Sequence, residues 1–406
     1  MTATRQVQPA ALALCLLASG CPAPSREATS GKPAEAPRRT TDGAIAAQNL
    51  DAKIESWEHI LKDLRPGSVQ AMAGLVDLYK TRAQYFGRLA DYDRAEHLAE
   101  LAVKTAPADP EAWVARAGAR AALHRFEEAL ADADAAEQRE ADPRAVRALR
   151  ASVLQAQGKL DQALELRRAA AVQDRTVFTL GALGAAEASA GHGALAEQHF
   201  TEAVRAHRDA SPLPIAWIDF QRGLLAERSG AIDAAARAYG AAQARLPQYA
   251  QAASHLAGIE AVRGNRARAI EQLRPLLVAT DDPEYVGQLA DLTPEKAEAA
   301  KLRARAAARY EELLARHPQA FADHAARFFL GSVPVRALQL AQQNLALRRT
   351  TEAFDLALVA AERAQDVQVG CAIAREARTE LPPSRRTEVL AARACPQGVP
   401  AEPSAR

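Results

Sequence analysis

The stretch DYDRAEHLAELAVKTAP, residues 91–107, decides the fold of this chain of 406 residues. Its pattern is that of an α-helix, but alanine occupies three positions of one face: Ala95, Ala99 and Ala102. A helix that buries a face normally fills it with Leu, Ile or Val. Alanines at these positions therefore indicate that the axis of another helix lies unusually close.

The same alanine recurs at a nearly fixed period. Ala129 lies 34 residues after Ala95, and Ala163 follows after another 34. Further copies, with small changes of spacing, begin at Ala196, Ala235, Ala269, Ala306 and Ala337. Self-similarity at such a period predicts a stack of repeated units, each of which buries its apolar stripe against its neighbours.

Glycine and proline divide each repeat into its parts. Glycines that permit a tight turn stand five residues before the anchor alanine at Gly158, Gly191, Gly230 and Gly264. Prolines that end the second helix follow the anchor by twelve residues at Pro107, Pro247 and Pro318. Each repeat is therefore predicted to be a helix, a turn, a second helix and a stop.

This pattern resembles the tetratricopeptide repeat family. The resemblance rests on the anchor alanine, a bulky residue four positions later, a small or medium residue seven positions later and the closing proline. It covers residues 68–382, about nine repeats, and implies an all-α fold, a right-handed α-solenoid of stacked helix-turn-helix repeats. An apolar residue or proline of the family's pattern is missing at Arg167, Arg175, Arg208 and Asn344.

The segments on either side of this solenoid have their own compositions. Residues 1–20 have the layout of a signal peptide, and residues 21–43, rich in Pro, Ser, Thr and Ala, are expected to form a disordered linker. Residues 44–67 are predicted to be an N-terminal capping helix. Residues 383–395 are predicted to be a C-terminal capping helix, followed by a disordered tail over 396–406.

The first residues predict export. Arg5 precedes an uncharged apolar run over residues 10–18, which is too short to span a bilayer. Residues 17–21, LASGC, look like a bacterial lipoprotein processing box, in which Cys21 becomes the lipidated first residue. The alternative is an ordinary cleavable signal with a chance cysteine. The lipoprotein interpretation predicts a protein anchored by lipid in the bacterial cell envelope, in the outer membrane and facing the periplasm.

Two more cysteines follow in the C-terminal part of the chain. Cys371 and Cys395 lie at similar distances before and after the hinge ELPPS, residues 380–384. A hairpin of two helices would bring them side by side, and disulfides persist in exported proteins. The sequence favours a disulfide between them over the alternative of two buried free thiols.

Motifs of the common catalytic and cofactor sites do not occur in the sequence. It has no H-E-x-x-H, G-x-S-x-G, P-loop, G-x-G-x-x-G or C-x-x-C. Its net charge of +1 gives no electrostatic footprint for nucleic acid. We therefore expect no catalytic residue, no metal and no cofactor. The alternative is an envelope enzyme or metal-binding protein that uses the solenoid as a substrate-binding wall and residues such as His317, Asp323 and His324.

A binding role agrees better with the pattern. The resemblance places the first helices of the repeats on a concave surface, where residues 212–230, PLPIAWIDFQRGLLAERSG, supply aromatic and polar groups. The predicted groove consists of Phe178, Trp217, Phe220, Gln221, Glu227, Gln251, Ser254 and His255. The alternative is that Trp217 and Phe220 pack between repeats. We expect a membrane-anchored adaptor that binds a protein or peptide partner and helps an envelope complex to assemble.

Overall fold

The computed structural model describes residues 39–65 and 67–396, and over these residues its regular structure is entirely helical. The predicted signal peptide, the lipidation site Cys21 and most of the linker lie outside the described residues, as do residues 397–406 of the predicted tail. None of the described helices is long and apolar enough to cross a membrane.

The helices are numbered in chain order. They are α1 (Gly43–His59), continued by a π-helical turn (Ile60–Leu64), α2 (Val69–Phe86), α3 (Ala90–Thr105), α4 (Pro110–Ala122), α5 (Phe126–Glu137), α6 (Pro143–Gln157), α7 (Leu160–Gln173), α8 (Val177–Ser189), α9 (Gly193–Ala206), α10 (Leu213–Arg228), α11 (Ile232–Arg245), α12 (Ala250–Val262), α13 (Arg266–Leu273), α14 (Leu276–Ala279), α15 (Pro283–Leu292), α16 (Lys296–Arg316), α17 (Pro318–Phe329), α18 (Pro334–Leu347), α19 (Thr351–Ala364), α20 (Val367–Glu380) and α21 (Arg385–Ala394).

Adjacent helices pack as pairs along the chain. In the described part, nine pairs follow one another: α2/α3, α4/α5, α6/α7, α8/α9, α10/α11, α12/α13, α15/α16, α17/α18 and α19/α20. Helix α1 precedes the first pair, and α21 packs against both α19 and α20. The protein is thus an all-α solenoid of helix-turn-helix repeats. The right-handed sense of its superhelix stays a prediction.

Local sequence explains where several first helices begin. Asp109, Asp142 and Asp282 each accept the backbone N–H of the residue two positions later, and a proline takes the first helical position after each of them. The carboxylate satisfies one of the free N–H groups at the helix start, and proline has no N–H that would need a partner there.

The small residues lie at helix contacts, as predicted. Ala95 keeps 1% of its surface exposed, and Ala129 and Ala163 keep none. A small residue in the first helix of a pair also makes room for a large one in the second, since a Cβ atom built on Gly223 would lie 2.3 Å from the Tyr239 ring. Close helix axes therefore depend on this alternation of small and large side chains.

The solenoid coils so tightly that successive turns of its superhelix touch. Asp281 accepts the backbone N–H of Leu89 across 192 residues of sequence. His124 hydrogen-bonds the carbonyl of Gln319 across 195 residues. We call this row of contacts the seam; it joins residues 87–90, 124 and 156–158 to residues 281, 319 and 348–350. The nearly constant separation shows that the early repeats rest, one after another, on the later ones.

Gly158 belongs to the seam as well as to a turn. Its φ of 86° lies in the left-handed region, and a Cβ atom there would approach the carbonyl oxygen of Arg349 to 2.3 Å. The backbone N–H of Arg349 in turn donates to the carbonyl of Gln157 at 3.0 Å. Glycine is thus required here both for the turn and for the close approach of a second backbone.

Helix α2 packs against the first helices of later repeats, α10 and α12. The rings of Tyr85 and Tyr249 lie 4.9 Å apart, and the Tyr85 hydroxyl donates to the carbonyl of Leu213 at 3.2 Å. Phe220 lies 5.2 Å from Tyr249 and keeps 6% of its surface exposed. The expectation that Phe220 lines an open groove is therefore wrong. The neighbours of Phe220 are Tyr239 of its own repeat and Tyr249 and His255 of the next, which is the packing between repeats that the sequence left as an alternative.

Candidate partner-binding surface

Two glutamate–histidine pairs line the first helices of neighbouring repeats. His255 on α12 donates to Glu227 on α10 at 3.1 Å, and the Tyr239 hydroxyl donates to the same carboxylate oxygen at 2.6 Å. His324 on α17 donates to Glu284 on α15 at 2.8 Å. Each pair therefore connects first helices of two successive repeats.

An amide connects the two pairs. The side chain of Gln288 donates to Glu284 at 3.2 Å, and its carbonyl oxygen accepts the hydroxyl of Ser254 at 2.8 Å. Ser254 and His255 are consecutive on α12, so polar groups run across four first helices. We call the set of Glu227, His255, Ser254, Gln288, Glu284 and His324 the polar row.

The ionisable groups of the polar row remain accessible. The side chains of Glu227 and His255 are 29% and 34% exposed, and those of Glu284 and His324 are 33% and 43% exposed. Ser254, by contrast, is buried, and its contribution is to hold Gln288 in place. A ligand on this face of the first helices can thus reach two carboxylates and two imidazoles.

The local electrostatics favour the charged forms of Glu227, Glu284 and His324. Burial alone would raise the pKa of Glu227, but the hydrogen bonds from His255 and Tyr239 outweigh it and lower that pKa. The negative charge of Asp323 and the hydrogen bond to Glu284 raise the pKa of His324 to about 10, against the effect of burial. His324 is therefore a protonated donor at neutral pH.

The polar row brings together only part of the predicted groove. Glu227, Ser254 and His255 belong to it, and Gln251 lies one helical turn before His255, half-buried on the same face of α12. Gln221 is half-buried on α10, one residue after Phe220. Of this predicted set, Glu227 and His255 have the contacts and the exposure expected of a binding surface.

The two remaining aromatic residues lie apart from the polar row. Trp217 packs against α8, since a Cβ atom on Gly181 would lie 3.2 Å from its ring. This is the packing between repeats that the sequence left as an alternative. Phe178, at the start of α8, is 66% exposed. It is an exposed aromatic side chain three repeats before Gln288.

Glu284 and Gln288 were missed because the repeat spacing changes there. The anchors Ala269 and Ala306 are 37 residues apart, and the extra residues form α14 between α13 and α15. A fixed period projected across this insertion assigns the inner positions of α15 incorrectly. The Asp-Pro pair at residues 282–283, which begins α15, was the available signal for the shifted register.

Of the residues considered for an enzyme, Asp323 and His324 lie 3.7 Å apart, whereas His317 has a partner elsewhere. His317 hydrogen-bonds Asp93 on α3, 224 residues earlier in the chain, at 2.6 Å. Asp323 is buried and approaches Arg348 at 3.5 Å. In residues 39–65 and 67–396, no group of three or more His, Cys, Asp or Glu side chains is arranged to hold a metal ion.

The C-terminal end of the solenoid is cross-linked. Cys371 on α20 and Cys395, directly after α21, form a disulfide with their Cα atoms 4.7 Å apart. Gly370 permits this approach, because a Cβ atom there would lie 2.4 Å from the carbonyl oxygen of Ala394. The bridge holds the final helix against the last helix pair.

Comparison with known proteins adds a distant likeness. No family model matches the chain, and no curated protein matches it. Among solved structures, it is similar to a tetratricopeptide repeat protein from Parabacteroides merdae, with 14% sequence identity and a TM-score of 0.39. The match covers 68% of this chain and 99% of that one. The helix pairs of this chain by themselves show its repeat architecture.

Proposed function

We propose that the protein is a lipid-anchored scaffold of the bacterial cell envelope. In this role it holds an extended segment of a partner protein across the polar row and thereby helps an envelope complex to assemble. The observation that carries the proposal is the pair of accessible glutamates, Glu227 and Glu284, each held by one histidine on the next first helix.

The chemistry of the row suits a peptide. Carboxylates accept hydrogen bonds from backbone N–H groups or from Lys and Arg side chains, and the Gln288 amide can both donate and accept. Packed helices lie about 8–10 Å apart, and an extended peptide advances about 3.3 Å per residue. A peptide that crosses the first helices would therefore meet a new set of polar groups about every three residues.

The N-terminal sequence supports the membrane part of the proposal. Acyl chains on Cys21 would anchor the protein, because each buried CH₂ contributes about 0.8 kcal/mol. A flexible linker of about 20 residues has a root-mean-square reach of about 25 Å. The solenoid would thus stay close to the bilayer while the polar row remains free to bind a partner.

Site-specific photocrosslinking tests the peptide site. A photoreactive residue at Gln251, beside the row, should give a discrete protein adduct in envelope preparations. Glu227→Gln combined with Glu284→Gln should remove that adduct, because both carboxylate acceptors lose their charge. The same photoreactive residue at Val172, which is 84% exposed on α7, serves as the control. An adduct at Gln251 that persists in the double variant would contradict the proposed site.

Cell fractionation tests the anchor separately. Cys21→Ser should release the protein from the membrane fraction or leave the precursor unprocessed. Mass spectrometry of the mature wild-type protein should show acyl chains on Cys21. An unchanged membrane fraction together with an unmodified N-terminus would exclude lipid anchoring.

A further inference from the structure

The short helix α14 presents an isolated apolar side chain to solvent. Val278 is 92% exposed, and it lies on the four-residue insertion between the pair α12/α13 and the pair α15/α16. Pro275, just before α14, and Ala279 at its end are exposed as well. The insertion therefore forms a small apolar tip outside the regular packing of the repeats.

Three cations without carboxylate partners lie in or beside this insertion in the sequence or on α16. Arg305 on α16 donates to the carbonyl of Leu277 at 3.2 Å, and Arg274 precedes Val278 by four residues. Lys301 lies one helical turn before Arg305 on the same face of α16. In the part of the chain that the structure describes, the ion pairs include none formed by Arg274, Lys301 or Arg305.

The surroundings of Val278 differ from those of Val172, the next most exposed valine among the described residues. Val172 is also strongly exposed, but the arginines near it in sequence are paired: Arg168 with Glu187 at 2.9 Å and Arg175 with Glu202 at 2.6 Å. At the C-terminal end, Arg349, Arg378 and Arg393 all contact glutamates. Val278 thus combines cations that form no ion pair within the described residues with much greater exposure than Val367, which follows the unpaired Arg363 but is only 41% exposed.

We propose that the α14 surface docks onto an anionic phospholipid bilayer. A basic residue near such a surface strengthens binding by about fivefold, and an apolar tip can enter the boundary between headgroups and acyl chains. A nucleic acid would also attract the cations, but it offers no apolar layer for Val278. The combination of charge and exposed valine therefore favours a membrane.

The linker that follows Cys21 joins the folded part at a place that would bring α14 close to the bilayer. The backbone N–H of Thr41 donates to the carbonyl of Ala210 at 2.7 Å, and Gly43 lies against the backbone of Arg245. The linker thus leaves the fold beside the pair α10/α11, and α12/α13 and α14 follow directly along the solenoid. A lipid-anchored linker that joins the fold beside α10/α11 can keep α14 at the bilayer. This step rests on the membrane location given under the proposed function.

The test uses the mature chain with Cys21→Ser, so that no acyl chain contributes, and measures flotation with vesicles. The protein should bind vesicles of phosphatidylcholine and phosphatidylglycerol and release them as salt is raised. Arg274→Glu combined with Lys301→Glu should weaken this binding at least tenfold, given about fivefold for each cation. Val278→Asp should weaken it as well, with no change in the melting temperature.

Matched variants control for charge and apolarity elsewhere. Arg363→Glu combined with Arg375→Glu changes the same net charge at exposed positions, and Val172→Asp removes another exposed valine. Both should leave vesicle binding unchanged. Equal losses in the control and α14 variants would overturn the proposal, as would no binding to anionic vesicles or tighter binding to a labelled DNA duplex. None of these results alters the tests of lipidation at Cys21 or of crosslinking at Gln251, so the two proposals can fail independently.

Discussion

The carboxylate of Asp281 accepts the backbone N–H of Ala90 at 3.1 Å, although 191 residues of sequence separate them. The same carboxylate accepts the N–H of Leu89. Leu89 is the N-cap residue of α3, and its own side chain has no atom that could accept a hydrogen bond. A residue from the next superhelical turn therefore caps this helix.

Asp281→Ala should loosen the seam. The change leaves two N–H groups at the start of α3 without their acceptor and breaks the ion pair with Arg309. Loss of an N-cap acceptor typically costs about 1 kcal/mol, with a range of about 0.5–2. Hydrogen exchange should quicken at the start of α3 and at the start of α15, on the two sides of the seam.

Asp291→Ala provides the control for this variant. Asp291 pairs with Arg303, and their side chains are 72% and 47% exposed, so removal of this exposed pair should change stability little. Identical exchange and melting behaviour of the Asp281→Ala and Asp291→Ala proteins would show that the cross-turn cap contributes nothing.

Gly158→Ala should cost more stability than Gly191→Ala. Both glycines have the same place in their repeats, with φ of 86° and 83°. A Cβ atom on Gly191 would meet nothing within 4 Å, whereas one on Gly158 would meet the Arg349 carbonyl oxygen at 2.3 Å. The shared backbone strain, about 1 kcal/mol, cancels in the comparison. The difference between the urea unfolding midpoints of the two variants measures the additional destabilisation that arises at the seam. Equal midpoints would contradict the contact between Gly158 and Arg349.

Ala129→Leu should overpack the contact between two repeats. Ala129 is fully buried beside Phe126 and Val153. Added methylenes in a packed core typically cost about 1–3 kcal/mol. Hydrogen exchange should quicken first in α4, α5 and α6, while the repeat around Ala306 stays protected.

Ala131→Leu is the matched control, because Ala131 lies on the same helix but is exposed. It should change stability by no more than about 0.5 kcal/mol. Unchanged melting and exchange in the Ala129→Leu protein would mean that the repeat register is assigned incorrectly.

The sequence predicted what depends on neighbours along the chain. The period of Ala95, Ala129 and Ala163 predicted the helix contacts, because each repeat packs mainly on the next one. The glycine at position 158 predicted a turn for the same reason. These features follow from local conformation and from packing between adjacent repeats, both of which leave a periodic trace in the sequence.

The seam produces no periodic pattern in the sequence. It depends on the rotation accumulated over many repeats, and small changes in helix packing determine whether residue 89 meets residue 281. The contact of Tyr85 with Tyr249, which packs against Phe220, follows from that rotation. Glu284 was not predicted for a different reason: the α14 insertion shifts α15 relative to the fixed repeat period. The polar row was therefore predicted only at Glu227, Ser254 and His255.

His124 should make the seam sensitive to acid. Burial, reinforced by the charge of Arg348, lowers its pKa to about 4, so the folded protein holds it neutral. A folded pKa below the unfolded value of about 6.5 gives stability that is complete above pH 6.5 and is lost as the pH falls towards 4. The loss between pH 7.5 and 4.5 should be on the order of 2 kcal/mol. His124→Asn removes the titrating ring and suits the positive φ of 57° at this position. Urea unfolding at both pH values should show a smaller acid loss in the variant, since both proteins share all other titrating groups. Equal acid losses would show that His124 does not titrate on unfolding.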